Sequence, residues 1–191
     1  MSHSLLQTHF APKQRTYFGP ELRPHFILSE YRIAGDALLA FVGPCDVKTD
    51  HLVDWEDRLN DDHIRAESMV HFLGEFFGTD IREIVLFQRL LAAQVRTLIA
   101  EVTGEIWERS GDDIYWKGKK LSVSIVTQSP VSSLIHFAVN WDPTGAPVDA
   151  VGLNQFLDEK ARDALIQRIL TWASTEWDSI RTACVKVRPV M

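Results

Sequence analysis

Two adjacent predicted strands in the second half of the chain carry side chains that could bind and transform a small molecule. Lys120 enters the first strand, which also holds Ser122 and Ser124, and His136 and Asn140 lie in the second. A lysine ammonium can bind an anion as a point charge, or act as a base if burial lowers its pKa. Histidine can transfer a proton near neutral pH, and serine and asparagine can orient a ligand. We therefore predict Lys120 as the catalytic residue and the other four as substrate contacts.

The predicted register of these two strands decides whether their polar side chains converge. A turn centred near Pro130 would pair Ser124 with His136 and Lys120 with Asn140. Because side chains alternate along a strand, this register places the apolar set on one face and the polar set on the other. A solvated sheet face is the alternative, since antiparallel sheets often have one. His136 could also be a hydrogen-bonded interior histidine.

A second group of candidates follows a short apolar run in the first third of the chain. The run ends at Gly43 and Cys45, which we predict as further substrate contacts at the end of a strand; a buried structural cysteine is the alternative for Cys45. The acidic loop beyond it carries Asp54, Glu56 and Asp57. Mg²⁺ prefers oxygen ligands and would bring a nucleotide phosphate with it. The alternative is a solvated turn whose acids cap the next helix.

Four ionisable residues recur at four-residue spacing just after this loop: His63, Glu67, His71 and Glu75. On a helix, such residues share one face, and two or three of them could hold a metal. An exposed helix with ion pairs would show the same pattern.

Hydrophobic periodicity and turn residues predict the elements that position these groups. Residues 1–14 form a loose arm in this prediction, and the whole chain, 1–191, forms one domain. Helices are predicted at 21–32, 61–77, 81–103 and 158–184, and strands at 37–42, 106–107, 114–116, 121–126 and 134–141. Because strands run together and helices run together, we predict an α+β fold with a mostly antiparallel sheet flanked by helices.

Composition narrows the class of protein. The chain has 191 residues, is 46% hydrophobic and carries a formal net charge of −6, which argues against general nucleic-acid binding. The N-terminus lacks the pattern of a secretory signal, and no apolar run is long enough to span a membrane. Cys45 and Cys184 follow no ligand spacing, so we expect reduced thiols in the cytoplasm. Trp172 and Trp177 in the last helix either pack in the core or support a homodimer.

Two short stretches resemble the biotin and lipoate ligase group. They are Asp112-Asp113-Ile114 with Gly118-Lys119-Lys120-Leu121-Ser122, and His136-Phe137-Ala138-Val139-Asn140. Over its whole length the chain also resembles the family called domain of unknown function 366, through the stretches Phe41–Val47, Val53–Asp57 and Met69–Phe72. The resemblance implies a biotin/lipoate ligase-like fold and gives Lys120 the role of contacting an activated carboxylate or a phosphate.

The resemblance further implies an enzyme that acts on a carboxylated or phosphorylated metabolite, with ATP and Mg²⁺ as possible cofactors. The chain departs from the group at three points. It lacks the triple-glycine loop of lipoate ligases and the arginine- and glycine-rich loop of biotin ligases, and residues 144–153 contain no nucleophilic cysteine. The alternatives are a metabolite- or nucleotide-binding module without chemistry and a self-associating interaction protein.

Overall fold

The fold is built on a five-stranded sheet. A computed structural model describes residues 4–190, and the strands of this sheet follow the order β1-β2-β3-β8-β7. Strands are β1 Gln7–Phe10, β2 Ala37–Val47, β3 Ile64–Phe77, β4 Glu108–Ser110, β5 Asp113–Trp116, β6 Lys119–Lys120, β7 Ser122–Gln128 and β8 Ser132–Asp142; helices are α1 Phe26–Tyr31, α2 Trp55–Leu59, α3 Ile81–Thr103 and α4 Glu159–Val185. Among the five described strands of the large sheet, β1 pairs with β2 in parallel and the other pairs are antiparallel, and β4, β5 and β6 form a second, small antiparallel sheet. The predicted α+β fold is confirmed.

The central strands are buried on both faces. One face packs against α3 and α4, with Phe72, Phe137 and Trp177 in the same apolar cluster. The other face is covered by the segment before β2, where Tyr17 and Phe26 pack with Phe41 in a second cluster. A sheet covered on both sides leaves room for a ligand only where one of the covering layers ends.

Strand β3 corrects the prediction of a helix over 61–77. Its burial pattern shows continuous burial from Met69 to Phe76, as both faces contact core side chains. A strand buried on both faces produces an unbroken apolar run, and such a run cannot be distinguished from a helix by periodicity. The predicted metal stripe is also wrong, because residues four apart on a strand lie about 13 Å apart.

The remaining elements follow the prediction more closely. Helix α3 begins after Asp80, which caps it, and ends at Gly104 with φ +71°, and α4 begins after the cap Asp158. The N-terminal arm is not loose throughout, since β1 pairs with β2; residues 1–3 lie outside the described residues. The helix expected at 21–32 shortens to α1. The strand expected at 106–107 begins two residues later, at Glu108, and Trp107 is a buried core residue.

The structure bears on two further predictions, one about membrane spans and one about the tryptophans of the last helix. Within residues 4–190, none of the helices combines the length and apolar character needed to cross a bilayer. Trp177 is buried and donates a hydrogen bond from Nε1 to Asp36 at 3.0 Å, and Trp172 stacks on Phe87. These tryptophans therefore belong to the core, and the homodimer remains a prediction without them.

Candidate functional site

A cavity of about 400 Å³ opens where the sheet face opposite α3 meets the small sheet and the acidic loop. We call its half-exposed side the mouth, defined by Asp57, Asp113 and Lys120, and its buried side the floor, defined by Tyr17 and His136. The predicted lysine, the predicted histidine and two of the predicted acids therefore line one cavity. Apolar side chains between mouth and floor include Leu22, Met69, Val123 and Ile125.

Lys120 is held in place through its backbone on both sides. Its N–H donates to Asp149 O at 2.9 Å, and its carbonyl accepts from Val151 N at 3.0 Å. Its ammonium forms an ion pair with Asp113 at 2.9 Å, and the Tyr115 hydroxyl donates to the same carboxylate oxygen at 3.2 Å. The lysine thus has a defined position with a third of its side chain exposed at the mouth.

Asn140 supports this position of the lysine. Its side-chain Nδ2 donates to the carbonyl of Lys120 at 3.3 Å, and its backbone N–H donates to Leu121 O at 2.8 Å. The residue also lines the cavity. Its clearest role in the structure is to connect β8 to the strand end that carries the lysine.

The acidic loop reaches the mouth from the opposite side. Asp54 caps α2, accepting from Glu56 N at 2.7 Å, and Asp57 lines the cavity. Partial burial raises the pKa of Asp57, and the charges of Asp54 and Asp62 raise it further, while Lys120 opposes them. Lys120 and the acidic loop therefore interact electrostatically.

The three predicted metal ligands, Asp54, Glu56 and Asp57, have different roles in the structure. Among residues 4–190, no three histidine, cysteine, aspartate or glutamate side chains converge in a way that could hold a metal ion. Asp54 uses its carboxylate for the helix cap, and the cavity is lined by Asp54 and Asp57 but not by Glu56. A cation at this mouth would therefore take most of its ligands from water and from a bound ligand.

The floor contains a histidine pair that sequence reasoning missed. His71 Nδ1 lies 3.1 Å from His136 Nε2, and His71 Nε2 lies 3.2 Å from the carbonyl oxygen of Gly43. Both rings are buried, and the Tyr17 ring stacks on His136 with centroids 3.9 Å apart. Assigning 61–77 to a helix separated His71 from His136, although strand pairing brings them to the same sheet face.

Burial decides the charge of this pair. It lowers the pKa of His71 to about 4, and burial together with the neighbouring ring lowers the pKa of His136 well below its usual range. Both rings are therefore neutral at pH 7. The alternative of a hydrogen-bonded interior histidine therefore describes His136 better, since proton transfer near neutral pH needs a pKa close to that pH.

The register of β7 and β8 corrects the roles of two serines. Ser124 lies opposite Phe137 and Ile125 opposite His136, one residue away from the predicted pairing. A shift of one residue moves each side chain to the other face. Ser122 Oγ accepts from Ile114 N at 2.8 Å, and Ser124 Oγ accepts from Gln88 Nε2 at 2.8 Å. Both residues border the cavity, but their hydroxyls form hydrogen bonds within the protein.

Gly43 and Cys45 lie behind the floor rather than along the cavity. A side chain at Gly43 would collide with the carbonyl of Arg15, so glycine permits the close approach of two backbone segments. Cys45 is buried, and burial, with the charges of Asp46 and Glu21, raises the pKa of its thiol to about 12. A thiol of this kind is not nucleophilic at neutral pH. Cys45 and Cys184 are both free.

The family is decided by the match to a family model. Residues 6–188 match the model described as domain of unknown function DUF366. The chain belongs to this family. An uncharacterized protein of Methanocaldococcus jannaschii is 30% identical over 188 residues, which cover 95% of this chain and 84% of that protein.

Similarity to solved structures identifies the fold. A protein of unknown function from Pyrococcus horikoshi is 34% identical, with a TM-score of 0.90 over 97% of this chain and 100% of that one. The biotin protein ligase from Aquifex aeolicus in complex with biotin and ATP has a TM-score of 0.57 at 11% identity, over 91% of this chain and 72% of that one. The biotin/lipoate ligase-like fold predicted for this DUF366 chain is confirmed.

Proposed function

We propose that this DUF366 protein binds a carboxylated or phosphorylated metabolite in the cavity, with the Lys120 ammonium as the contact to the anion. The observation that carries the proposal is the placement of Lys120, which is anchored by its backbone and half-exposed at the mouth of a cavity with a buried floor. A cavity of about 400 Å³ suits a small metabolite. Asn140 acts as a positioning residue for the lysine.

We further propose that the protein is a ligase- or acyltransferase-like enzyme of the cytoplasm that uses ATP and Mg²⁺. The cavity is lined by more carboxylates than lysine and arginine side chains: Asp54, Asp57, Asp62, Asp112 and Asp113 against Lys120 and Arg65. A bare anion would meet repulsion there. Mg²⁺ uses one or two carboxylates together with phosphate oxygens, and we propose Asp57, which lines the cavity, as its contact on the protein. When bound, the ion would neutralise charge on the phosphates.

The chemistry available without a protein nucleophile is activation by positioning and charge stabilisation. Lys120 would hold the anionic group at a fixed place, and the apolar walls formed by Met69, Val123 and Ile125 would exclude water from the rest of the ligand. The inert thiol of Cys45 favours this route over a cysteine thioester. The low reactivity of this thiol also supports the second candidate function, a binding module without turnover.

A thermal-shift panel tests the proposal. It contains ATP with and without Mg²⁺, purine nucleotides, pterins, short acyl chains, biotin and lipoate. A ligand at about 100 times its Kd stabilises by about 2.7 kcal/mol, which raises the Tm of a chain of this size by roughly 5–10 °C. We expect a carboxylated or phosphorylated compound to give this shift, and Mg²⁺ to increase the shift for ATP.

Two lysine variants and a turnover assay complete the test. Lys120→Ala should remove the shift, and Lys119→Ala should keep it, because Lys119 pairs with Asp149 and does not line the cavity. Release of pyrophosphate or phosphate with the stabilising ligand would support the enzyme, and binding without release would support the binding module. A shift that survives in Lys120→Ala would contradict the proposed anion contact.

A further inference from the structure

The histidine pair at the floor has a defined direction of hydrogen bonding. The carbonyl oxygen of Gly43 can only accept, so the proton of His71 is on Nε2, 3.2 Å from that oxygen. A neutral imidazole carries one proton, and His71 Nδ1 is therefore an acceptor. The nitrogen 3.1 Å away, His136 Nε2, must donate to it.

This direction leaves His136 Nδ1 without a proton. Burial of both rings keeps them neutral, so no second proton is available at pH 7. The backbone thus determines the tautomer of His136 through His71. His71 is a positioning residue in this arrangement.

The unprotonated nitrogen is open to the cavity. In residues 4–190, every buried side-chain nitrogen and oxygen has a hydrogen-bond partner. His136 Nδ1 has no partner in that part of the chain, so this atom is not shut off from solvent, and because His136 lines the cavity, Nδ1 borders the empty space. The hydroxyl of Tyr17, whose ring stacks on His136, is in the same situation.

Apart from the Tyr17 hydroxyl, the cavity lining beside His136 is apolar, and Ile125 is its cross-strand partner. Met69, Val123 and Ile125 line the neighbouring wall, and His136 is only 3% exposed. A ligand that fills this end of the cavity displaces water from Nδ1. If the ligand has no donor there, the nitrogen becomes a buried acceptor without a partner, which is unfavourable. A site built to hydrogen-bond its ligand discriminates against analogues that lack the matching group.

We propose that His136 Nδ1 is a specificity determinant that selects a ligand with an N–H or O–H donor at the end opposite to its anionic group. The proposal deepens the proposed function, because it names the chemistry of the second end of the ligand that Lys120 binds. The ligand class is a carboxylate or phosphate with a polar, donor-bearing head group. Plain acyl chains are disfavoured.

A matched pair of neutral probes tests this without relying on Lys120. 2-Pyrrolidinone offers one lactam N–H, and N-methyl-2-pyrrolidinone is the same ring without the donor. With ¹⁵N-labelled histidine, we expect both His71 and His136 to show the Nε2–H tautomer at pH 7. We expect 2-pyrrolidinone to shift the Nδ1 resonance of His136 and to bind at least about fivefold more tightly than its N-methyl analogue.

Each outcome decides the inference. His136 protonated at Nδ1, equal responses to the two lactams, or no response of Nδ1 to either would overturn it. His136→Phe assigns the resonance, and if this variant fails to fold, the comparison of the two probes on the wild type still decides. Because the lactams carry no charge, their response should persist in Lys120→Ala. A lactam response together with failure of every anion in the panel would contradict the proposed function alone.

Discussion

The mouth and the floor of the cavity use polar groups in opposite ways. At the mouth, Lys120 and Asp113 form an ion pair and are each at least a quarter exposed. At the floor, His71 and His136 are buried and neutral, and their hydrogen bonds have a fixed direction. Charges near solvent attract ligands with little dependence on geometry, whereas a buried acceptor discriminates by geometry. Under the proposed function, affinity for the anion arises at the mouth and selectivity arises at the floor.

The largest stability effect should come from the floor. His71→Ala removes a buried ring, leaves a cavity, and deprives His136 Nε2 of its acceptor, so we expect a loss of about 3 kcal/mol in the free energy of unfolding. Lys120→Ala should cost under about 1 kcal/mol, because its ion pair is partly exposed. Urea denaturation of both variants measures the contrast. Equal losses would remove the distinction between mouth and floor.

The pH dependence of stability sharpens the same comparison. The unfolded chain protonates His71 near its ordinary pKa of about 6.5, while the folded state does so only at about 4. The stability is therefore fully present above about pH 6.5 and is lost as pH falls toward 4. Between pH 7 and pH 5 we expect His71 to account for a loss of about 2 kcal/mol.

Urea denaturation at pH 7, 6 and 5 measures this loss. His51→Asn is the matched control, since it removes an exposed histidine at the rim of the cavity and keeps the buried pair. His71→Gln should flatten the slope. A wild-type stability that is constant over this range would show that the pair is not held neutral.

At the mouth, Asp57→Asn should affect anion binding more than stability. Removing this carboxylate takes away a negative charge that interacts with Lys120, so an anionic ligand should bind about fivefold more tightly without Mg²⁺. The gain from added Mg²⁺ should become smaller. Titration calorimetry measures both, with the exposed Asp50→Asn as the matched control. A loss of affinity in the absence of Mg²⁺ would mean that Asp57 itself contacts the ligand.

The smallest effect on ligand binding is expected at Ser124. Its hydroxyl accepts from Gln88 on the helix side of the sheet, so Ser124→Ala should cost about 1 kcal/mol of stability and leave ligand affinity unchanged. Denaturation and calorimetry on one preparation separate these results. A large loss of affinity at normal stability would favour the register in which Ser124 shares a face with His136.

The sequence predicted the long helices accurately, but of the strands buried on both faces it predicted β2 and β8 and assigned β3 to a helix. Helices α3 and α4 have apolar stripes and capping aspartates, so their bounds were predicted within about a residue. Strand β3 has core contacts on both faces, and its apolar run has no period of two to distinguish it from a helix.

For the candidate site, the sequence predicted what depends on local patterns and missed what depends on strand register and long-range pairing. Lys120 was located by the strand-turn pattern around Gly118, which is local in sequence. The serines were assigned to the wrong face because the turn at Ser129–Ser132 has one residue more than a turn centred on Pro130 implies. The pairing of His71 with His136 depends on a strand contact across 65 positions, which local patterns do not contain.

The most direct test of the account is the structure of the protein with the compound that raises its Tm most in the panel. We predict an anionic group within hydrogen-bond distance of Lys120 Nζ and an N–H or O–H donor on His136 Nδ1, in a single ligand that spans the cavity. A ligand bound elsewhere, or one that lies in the cavity without contacting Lys120, would contradict the central claim.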